Sequence, residues 1–306
     1  MARNFLRSSS QSLKFRKACS DLLADILINL NNENKDHLNN LSECSGNFKD
    51  ERIIEYILLM AKELALDLLT GYQAIELLQR FMVKHLSDLL AMQTPQDVAA
   101  DPPLGQVDDV FEKFKEKFPL VIFSCLQLAS KMSLHSEIIN NDTAVQFLHS
   151  VGFSVSKQTL LESELMVLKG LEFRLNVPNP LTYVETLLEV FGHNEPSIAV
   201  DRLHRLCCHV LQFVSLQRTA IYDSLLVTTT QCVNPSREQR EKFVTVTEDY
   251  MLLGVGVIAV ASFILYGRKW EQVVEELSHI TGISSRSITD FAHVTLNHIV
   301  RKPVLP

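Results

Sequence analysis

The stretch that most constrains the fold runs from Tyr250 to Tyr266, where YMLLGVGVIAVASFILY carries no charged residue. A segment this apolar crosses a membrane, lies in a protein core, or, through its G-x-G-x-x-A pattern at 254–259, forms the phosphate-binding turn of a dinucleotide fold. It is short for a membrane span. In a dinucleotide fold the phosphate-binding turn follows a buried strand. Here the charged residues Glu248 and Asp249 precede the apolar stretch, which does not fit a buried strand. We therefore predict a buried core helix, with a membrane protein and an NAD-binding protein as the alternatives.

Apolar residues recur at helical spacing along almost the whole chain. In RIIEYILLMAKELALDLL, residues 52–69, they follow one another at steps of three and four, as one amphipathic helix requires. Another helix is predicted over 119–132, PLVIFSCLQLASKM. Proline and glycine residues predict a loop over 92–106, and Pro235 with a charge cluster predicts an exposed insertion over about 231–241. Sustained alternation with a period of two is nearly absent, so we predict an all-α protein.

Two domains are expected in a chain of 306 residues. Pro178 and Pro180 interrupt the helical pattern and mark the predicted boundary. Aligning the Ala-Ser pair at 129–130 with the Ala-Ser pair at 261–262 superposes two very apolar helices that are rich in small residues. Because such a helix needs neighbours on all sides, the repeat predicts a duplicated helical bundle with one buried central helix in each copy.

The net charge and the spacing of cysteine and histidine residues argue against several classes of function. The formal net charge of -7 and the pI near 5.8 argue against binding nucleic acid through overall charge. The six cysteines form no C-x-x-C pair, which fits a reduced intracellular protein. His204 and Cys208 lie four residues apart on a predicted helix, but two ligands do not make a zinc site. We expect neither a metal nor a cofactor.

The first twenty residues hold five basic residues, no acidic residue and several serines. We interpret them as a basic tail ahead of an acidic domain. A mitochondrial targeting segment is the alternative.

The order of the helices and three motifs resemble the cyclin box. The motifs are Arg80-Phe81 within IELLQRFM, LQLASK at 126–131, and ELMVLKGLEFRL at 164–175. The resemblance implies an all-α fold of tandem five-helix cyclin boxes. On it, residues 1–48 form a basic, polar tail and a lead helix, 49–177 the first box, and 178–306 the second box.

Two charged residues match the cyclin positions that make the central polar contacts to the kinase. Lys131 ends the third helix of the first box, and Glu164 lies in the fifth. The resemblance implies a kinase-binding role for both. As charges expected on helix surfaces, they should be removable with little effect on folding. The alternatives are a helix-end role for Lys131, which complements the helix dipole, and a solvated position for Glu164 beside Glu162. Apolar residues that flank the two charges in sequence complete the predicted surface: Phe118, Leu120, Phe123 and Leu160.

The chain departs from the cyclin pattern at the substrate-docking motif, which falls on residues 49–53 and Tyr56. The candidate residues of this degenerate substrate-docking patch are Arg52, Ile53 and Tyr56. Gln79 stands where cyclins carry an aspartate before the Arg-Phe pair. These departures argue against substrate recruitment by the patch.

The resemblance implies a non-enzymatic regulator that binds a cyclin-dependent kinase, of the cyclin-dependent kinase 2 type. At a finer level the chain is similar to a divergent, meiosis-associated branch of the family. That similarity implies a nuclear protein that promotes crossover maturation alongside MutS- and MutL-type factors, without contacting nucleic acid or a membrane directly. The alternative is a kinase-independent cyclin-fold scaffold for recombination, repair or transcription proteins.

Overall fold

The chain is all-α, as predicted. The computed structural model describes residues 15, 19–42, 45–92, 104–133, 138–176 and 178–301, and within these gives residues 20 and 86–116 by their backbone alone; none of the described residues forms a β-strand. The helices are α1 Ser20–Asn39, α2 Glu51–Glu63, α3 Leu68–Met92, α4 Leu104–Met132, α5 Asn141–Ser150, α6 Lys157–Gly170, α7 Pro180–Asn194, α8 Val200–Leu216, α9 Arg218–Thr230, α10 Arg237–Thr247, α11 Tyr250–Tyr266, α12 Trp270–Thr281 and α13 Ser285–Arg301, with a 3₁₀ turn at Gly267–Lys269.

The chain divides into two compact units. The first-box unit comprises the described residues of Asn47–Lys49 and Glu55–Val177. The second-box unit comprises those of Met1–Gly46, Asp50–Ile54 and Pro178–Pro306. The lead helix α1 therefore groups with the second box.

The first-box unit is built around the C-terminal half of α4, where every residue from Val121 to Ser130 is buried. Helices α3 and α6 pack against it. Two polar side chains inside this core bond to neighbouring elements: Gln127 donates from Nε2 to Asn141 Oδ1 at 2.9 Å, and Ser124 shares a 2.8 Å hydrogen bond with Ser163 on α6. These bonds fix the register of α4 against its neighbours, because an unpaired buried polar group is costly.

The second-box unit is built around α11, in which every residue from Tyr250 to Ser262 is buried. Helices α7, α8 and α13 surround it. A Cβ on Gly254 would lie 2.9 Å from Leu187 Cδ1 of α7, and one on Gly256 would overlap the ring of Phe291 of α13. Residues two apart on a helix point to nearly opposite sides. The glycines thus let helices approach from both sides, as the sequence predicts.

This arrangement decides between the three interpretations of the apolar stretch. Residues Tyr250–Thr281 are long and apolar enough to cross a membrane, but 67% of their most apolar window is buried inside the protein. The G-x-G-x-x-A pattern lies in the middle of α11 and follows no strand, so the phosphate-binding interpretation is wrong. The stretch is the central core helix of its unit.

Helix α1 contributes to the same core through Asn34. The Asn34 side chain donates to Asp249 Oδ1 at 2.9 Å and accepts from the Tyr250 backbone N–H at 3.0 Å. Asp249 in turn caps α11 by accepting from the Leu252 N–H at 3.0 Å. Tyr183 adds a hydrogen bond from its hydroxyl to the Leu30 carbonyl at 3.1 Å. The lead helix therefore completes the N-terminal cap of the central helix.

The single helix predicted over 52–69 is two helices. Helix α2 ends at Glu63, and Ala65 adopts a left-handed backbone with φ of 55°. Asp67 then accepts from the Thr70 N–H at 2.6 Å and caps α3. The periodicity is the same on both sides of the break, so the pattern of apolar residues did not reveal it.

Two further boundaries differ from the prediction. Helix α4 begins at Leu104 and contains Pro119, although proline removes one backbone hydrogen bond from a helix interior. Residues 93–103 of the predicted loop lie outside the described residues. The insertion expected over about 231–241 contains the start of α10, because Ser236 and Gln239 form a capping box.

Candidate partner-binding surface

The structure brings Lys131 and Glu164 together. Lys131 lies in the last turn of α4 and Glu164 in the middle of α6, and their side chains form an ion pair. The Lys131 side chain is 37% exposed, whereas the Glu164 side chain is 8% exposed. The pair therefore sits at the edge of the first-box core, with the lysine on the solvent side.

A hydrogen bond between Ser124 and Ser163 helps to hold α4 and α6 in the register that brings Lys131 and Glu164 together. It joins α4 to α6 beside the pair, since Ser163 immediately precedes Glu164. Helix α6 is itself anchored at its start, where Ser156 accepts from the Thr159 N–H at 3.1 Å. The register of the two helices therefore places the lysine and the carboxylate in contact.

The ion pair changes one expectation from the sequence. An isolated surface charge can be removed with little effect on folding, but Glu164 is almost completely buried. Removal of Lys131 takes away its cationic partner, and a buried polar group without a partner costs about 1–3 kcal/mol. A structural role for Lys131 therefore exists alongside any binding role.

The four apolar residues predicted around the pair are not equivalent. Phe118 and Leu120 are half-buried. Phe123 and Leu160 have 0% exposure and form part of the core. In this conformation Phe123 and Leu160 support α4 and α6 from beneath and offer no surface to a partner.

Apolar residues other than those predicted from the sequence are exposed around the pair. Leu161 and Leu165 are exposed on α6. Leu161 lies one turn before Glu164, and Leu165 lies one turn after Leu161, so the two leucines form an exposed apolar strip that borders Glu164. Met132, next to Lys131, is also exposed. An amphipathic helix with leucine at both 160 and 161 was the signal available, since the two cannot both face the core.

Phe173 is a further exposed aromatic residue, in the turn that follows α6. Both Glu172 and Phe173 have left-handed backbones, with φ of 52° and 59°. Residues other than glycine rarely adopt this conformation. Helix α3 holds the turn: Arg80 donates to the Arg174 carbonyl at 3.0 Å, and Lys84 forms an ion pair with Glu172. This network keeps Phe173 at the surface.

The residues at the substrate-docking position lie on or beside α2. Arg52 is exposed, Ile53 and Tyr56 are half-buried, and burial raises the pKa of Tyr56. Just before the helix, Lys49 forms a buried ion pair with Glu76 of α3, with Nζ and Oε2 3.0 Å apart.

Gln79, which replaces the expected aspartate, accepts from the Phe48 N–H at 3.1 Å. Two of the departures from the cyclin pattern, Lys49 and Gln79, therefore make contacts that join α3 to the segment before α2.

His204 and Cys208, which lie four residues apart on α8, do contact each other. His204 Nε2 is 3.6 Å from Cys208 Sγ and 3.0 Å from Glu185 Oε1 on α7. Both the Cys208 thiol and the Glu185 carboxylate contact His204 Nε2 directly. The three side chains therefore bond to one another and do not surround a space for a metal ion. No group of three metal-binding side chains that could hold an ion occurs among the residues the structure describes.

This cluster predicts a dependence of stability on pH. Burial opposes the charged form of His204, but the hydrogen bonds to Cys208 and Glu185 outweigh burial and raise its pKa to about 9. A raised pKa in the folded state stabilises the protein fully below the unfolded value of about 6.5, and this stabilisation is lost as pH rises through 9. The free energy of unfolding, measured with denaturant, should therefore fall between these pH values. In His204→Gln that fall should disappear. An identical pH profile in both proteins would contradict the assignment.

Comparison with known proteins assigns the family. No protein-family model matches the chain. A mouse protein named cyclin N-terminal domain-containing protein 1 is 39% identical over 287 residues, covering 94% of this chain and 86% of the mouse protein. The human protein of the same name is 40% identical over 298 residues, covering 96% of this chain and 90% of the human protein. With this identity over nearly its whole length, and with the all-α fold described above, the chain belongs to the cyclin N-terminal domain-containing protein 1 family of cyclin-like proteins.

Proposed function

We propose that this chain is a non-enzymatic regulator that binds a cyclin-dependent kinase through the surface around Lys131 and Glu164. The observation that carries the proposal is an ion pair at the end of the central helix with exposed leucines beside it on α6. A central polar contact within an apolar surround is the usual anatomy of a protein interface. Lys131 and Glu164 are also the two positions that match the kinase contacts of cyclins.

The pair supports binding because the two charges are already positioned. Each side chain is held by the other before any partner arrives, so less conformational freedom is lost when a complex forms. In the complex, the lysine and the carboxylate would turn part of their hydrogen-bonding capacity towards kinase groups. Leu161, Leu165 and Phe173 would supply the apolar area.

A regulator of this kind performs no chemistry. It binds the conformer of the kinase in which the αC helix is turned inward, and so raises the population of that conformer. The lysine and glutamate of the kinase then form the ion pair that positions ATP. The kinase of our proposal is of the cyclin-dependent kinase 2 type.

We place this activity in the nucleus during meiotic recombination, in the maturation of crossovers with MutS- and MutL-type factors. Family membership and the resemblance to the meiosis-associated branch of the cyclins support this setting. The acidic net charge of -7 favours protein partners over direct contact with nucleic acid.

The test is a native purification of the full-length tagged chain from meiotic cells. We expect a cyclin-dependent kinase to co-purify, and to be lost when Leu161 and Leu165 are both changed to Ser. Recovery of recombination factors without any kinase would overturn the proposal and establish the kinase-independent scaffold instead. The matched control is Val233→Ser, which changes an exposed apolar residue of the second-box unit.

A further inference from the structure

The end of α11 in the second-box unit corresponds to the end of α4 in the first-box unit but carries different side chains. Ala261 and Ser262 are buried near the end of α11, as Ala129 and Ser130 are near the end of α4. The residue that follows is Phe263, at the position of Lys131 in the first box, and it is 42% exposed. Ile264 beside it is exposed as well. The end of this central helix therefore presents apolar groups where the first box presents a charge.

Three rings form a connected stack at this end of α11. Phe263 meets Trp270 edge-on, with centroids 5.6 Å apart, and Trp270 stacks on His293 of α13 with centroids 5.3 Å apart. The indole N–H of Trp270 donates to the Ala259 carbonyl at 3.0 Å, which fixes the orientation of the ring. Phe263 and His293 are exposed and Trp270 is half-buried. We call this set the aromatic stack.

A basic turn adjoins the aromatic stack. The 3₁₀ turn Gly267–Lys269 connects Ile264 and its neighbours to Trp270, and it carries Arg268 and Lys269, both exposed. Neither forms an ion pair with any side chain in the described part of the chain. Glu271 is the nearest acidic residue in sequence, so the turn retains a net positive charge.

We propose that the aromatic stack and the basic turn bind an acidic peptide segment of a partner protein that carries an aromatic or leucine anchor. The anchor would cover Phe263 and Trp270. Aromatic side chains, and tryptophan in particular, are enriched among the residues that contribute most to the free energy of protein–protein binding. The carboxylates that flank the anchor would pair with Arg268 and Lys269, whose charge is not neutralised within the described structure. This site lies wholly in the second-box unit and is independent of the proposed kinase surface.

The chain provides its own reporter for this site, because Trp270 is its only tryptophan. Random 12-residue peptides displayed on phage are selected against the full chain, and the enriched peptides are synthesised. We expect sequences with an aromatic or leucine residue flanked by acidic residues, and a saturable change in Trp270 emission on titration.

Two variants and one control test where the peptides bind. Arg268→Glu/Lys269→Glu should raise Kd at least about tenfold, and Phe263→Ser about 30-fold, as expected for loss of charge complementarity and of a hot-spot ring. Arg202→Glu/Arg205→Glu makes the same change in net charge on exposed residues of α8 and should leave Kd unchanged.

Several outcomes would overturn the proposal. These are failure to enrich any peptide, enrichment of peptides without acidic residues, and affinities that the turn and Phe263 variants do not alter. Saturation of the Trp270 signal by a single-stranded oligonucleotide in place of acidic peptides would assign the site to nucleic acid. Self-association of the chain that Phe263→Ser abolishes would assign it to a second copy.

Discussion

Gly256→Leu is expected to lower the free energy of unfolding by about 3 kcal/mol or more, at the upper end of the range for overpacked cores. A Cβ at this position would already overlap the ring of Phe291, whose Cε1 atom would lie only 2.6 Å away. Phe291 is itself fully buried and contacts Tyr222 at a centroid distance of 6.0 Å. Because the ring cannot turn out to solvent, either Phe291 must move within the core or α13 must shift. Thermal and denaturant unfolding of the purified variant measure the effect.

Two further variants separate this clash from a general effect of replacing glycine. Gly254→Ala lies on the same helix and meets the terminal methyl group of Leu187, which can rotate away, so its cost should be clearly smaller than that of Gly256→Ala. Phe291→Leu should recover part of the stability lost in Gly256→Ala, because the two positions share one contact. If Gly256→Leu unfolds at the same temperature as the wild type, α11 is not packed as described.

The sequence allowed prediction of the fold at the level of elements because helical periodicity extends over nearly the whole chain. It placed α11 in a core and predicted the crowding at Gly254 and Gly256. It did not predict the break at Ala65, because a left-handed alanine has no sequence signal. Nor did it predict that α1 completes the N-terminal cap of α11, because that contact joins Asn34 to Asp249, which are far apart in sequence.

The candidate site shows a similar division. Resemblance to a family identified Lys131 and Glu164, and the structure brings them into contact. Position in sequence next to a charge suggested Phe123 and Leu160, but helical geometry turns both into the core. The exposed strip of α6 that borders Glu164 instead carries Leu161 and Leu165. The angular position of a residue on its helix, rather than its distance along the chain, determines which residues share a surface.

Loss of either charged residue is expected to weaken kinase binding by roughly 30-fold to several thousand-fold. Removing one partner from a desolvated charged contact costs about 2–5 kcal/mol at an interface, and each 1.4 kcal/mol is a factor of about ten in Kd. Lys131→Ala also unpairs the nearly buried Glu164, so this variant alone would confuse a binding role with a structural one. Glu162→Ala is the matched control, because Glu162 is exposed on the same helix and its carboxylate accepts a 2.8 Å hydrogen bond from Gln158, within the same helix.

The most direct test of kinase binding compares two variants of this chain, the wild type and the charge-exchanged variant Lys131→Glu/Glu164→Lys. The measured quantity is the Kd of each for purified cyclin-dependent kinase 2. The exchange keeps an ion pair between α4 and α6 but reverses both charges towards a partner. We predict an unfolding temperature close to that of the wild type, with binding at least about 100-fold weaker, in line with unfavourable charges facing each other at an interface. A folded variant that binds the kinase as tightly as the wild type would contradict the account.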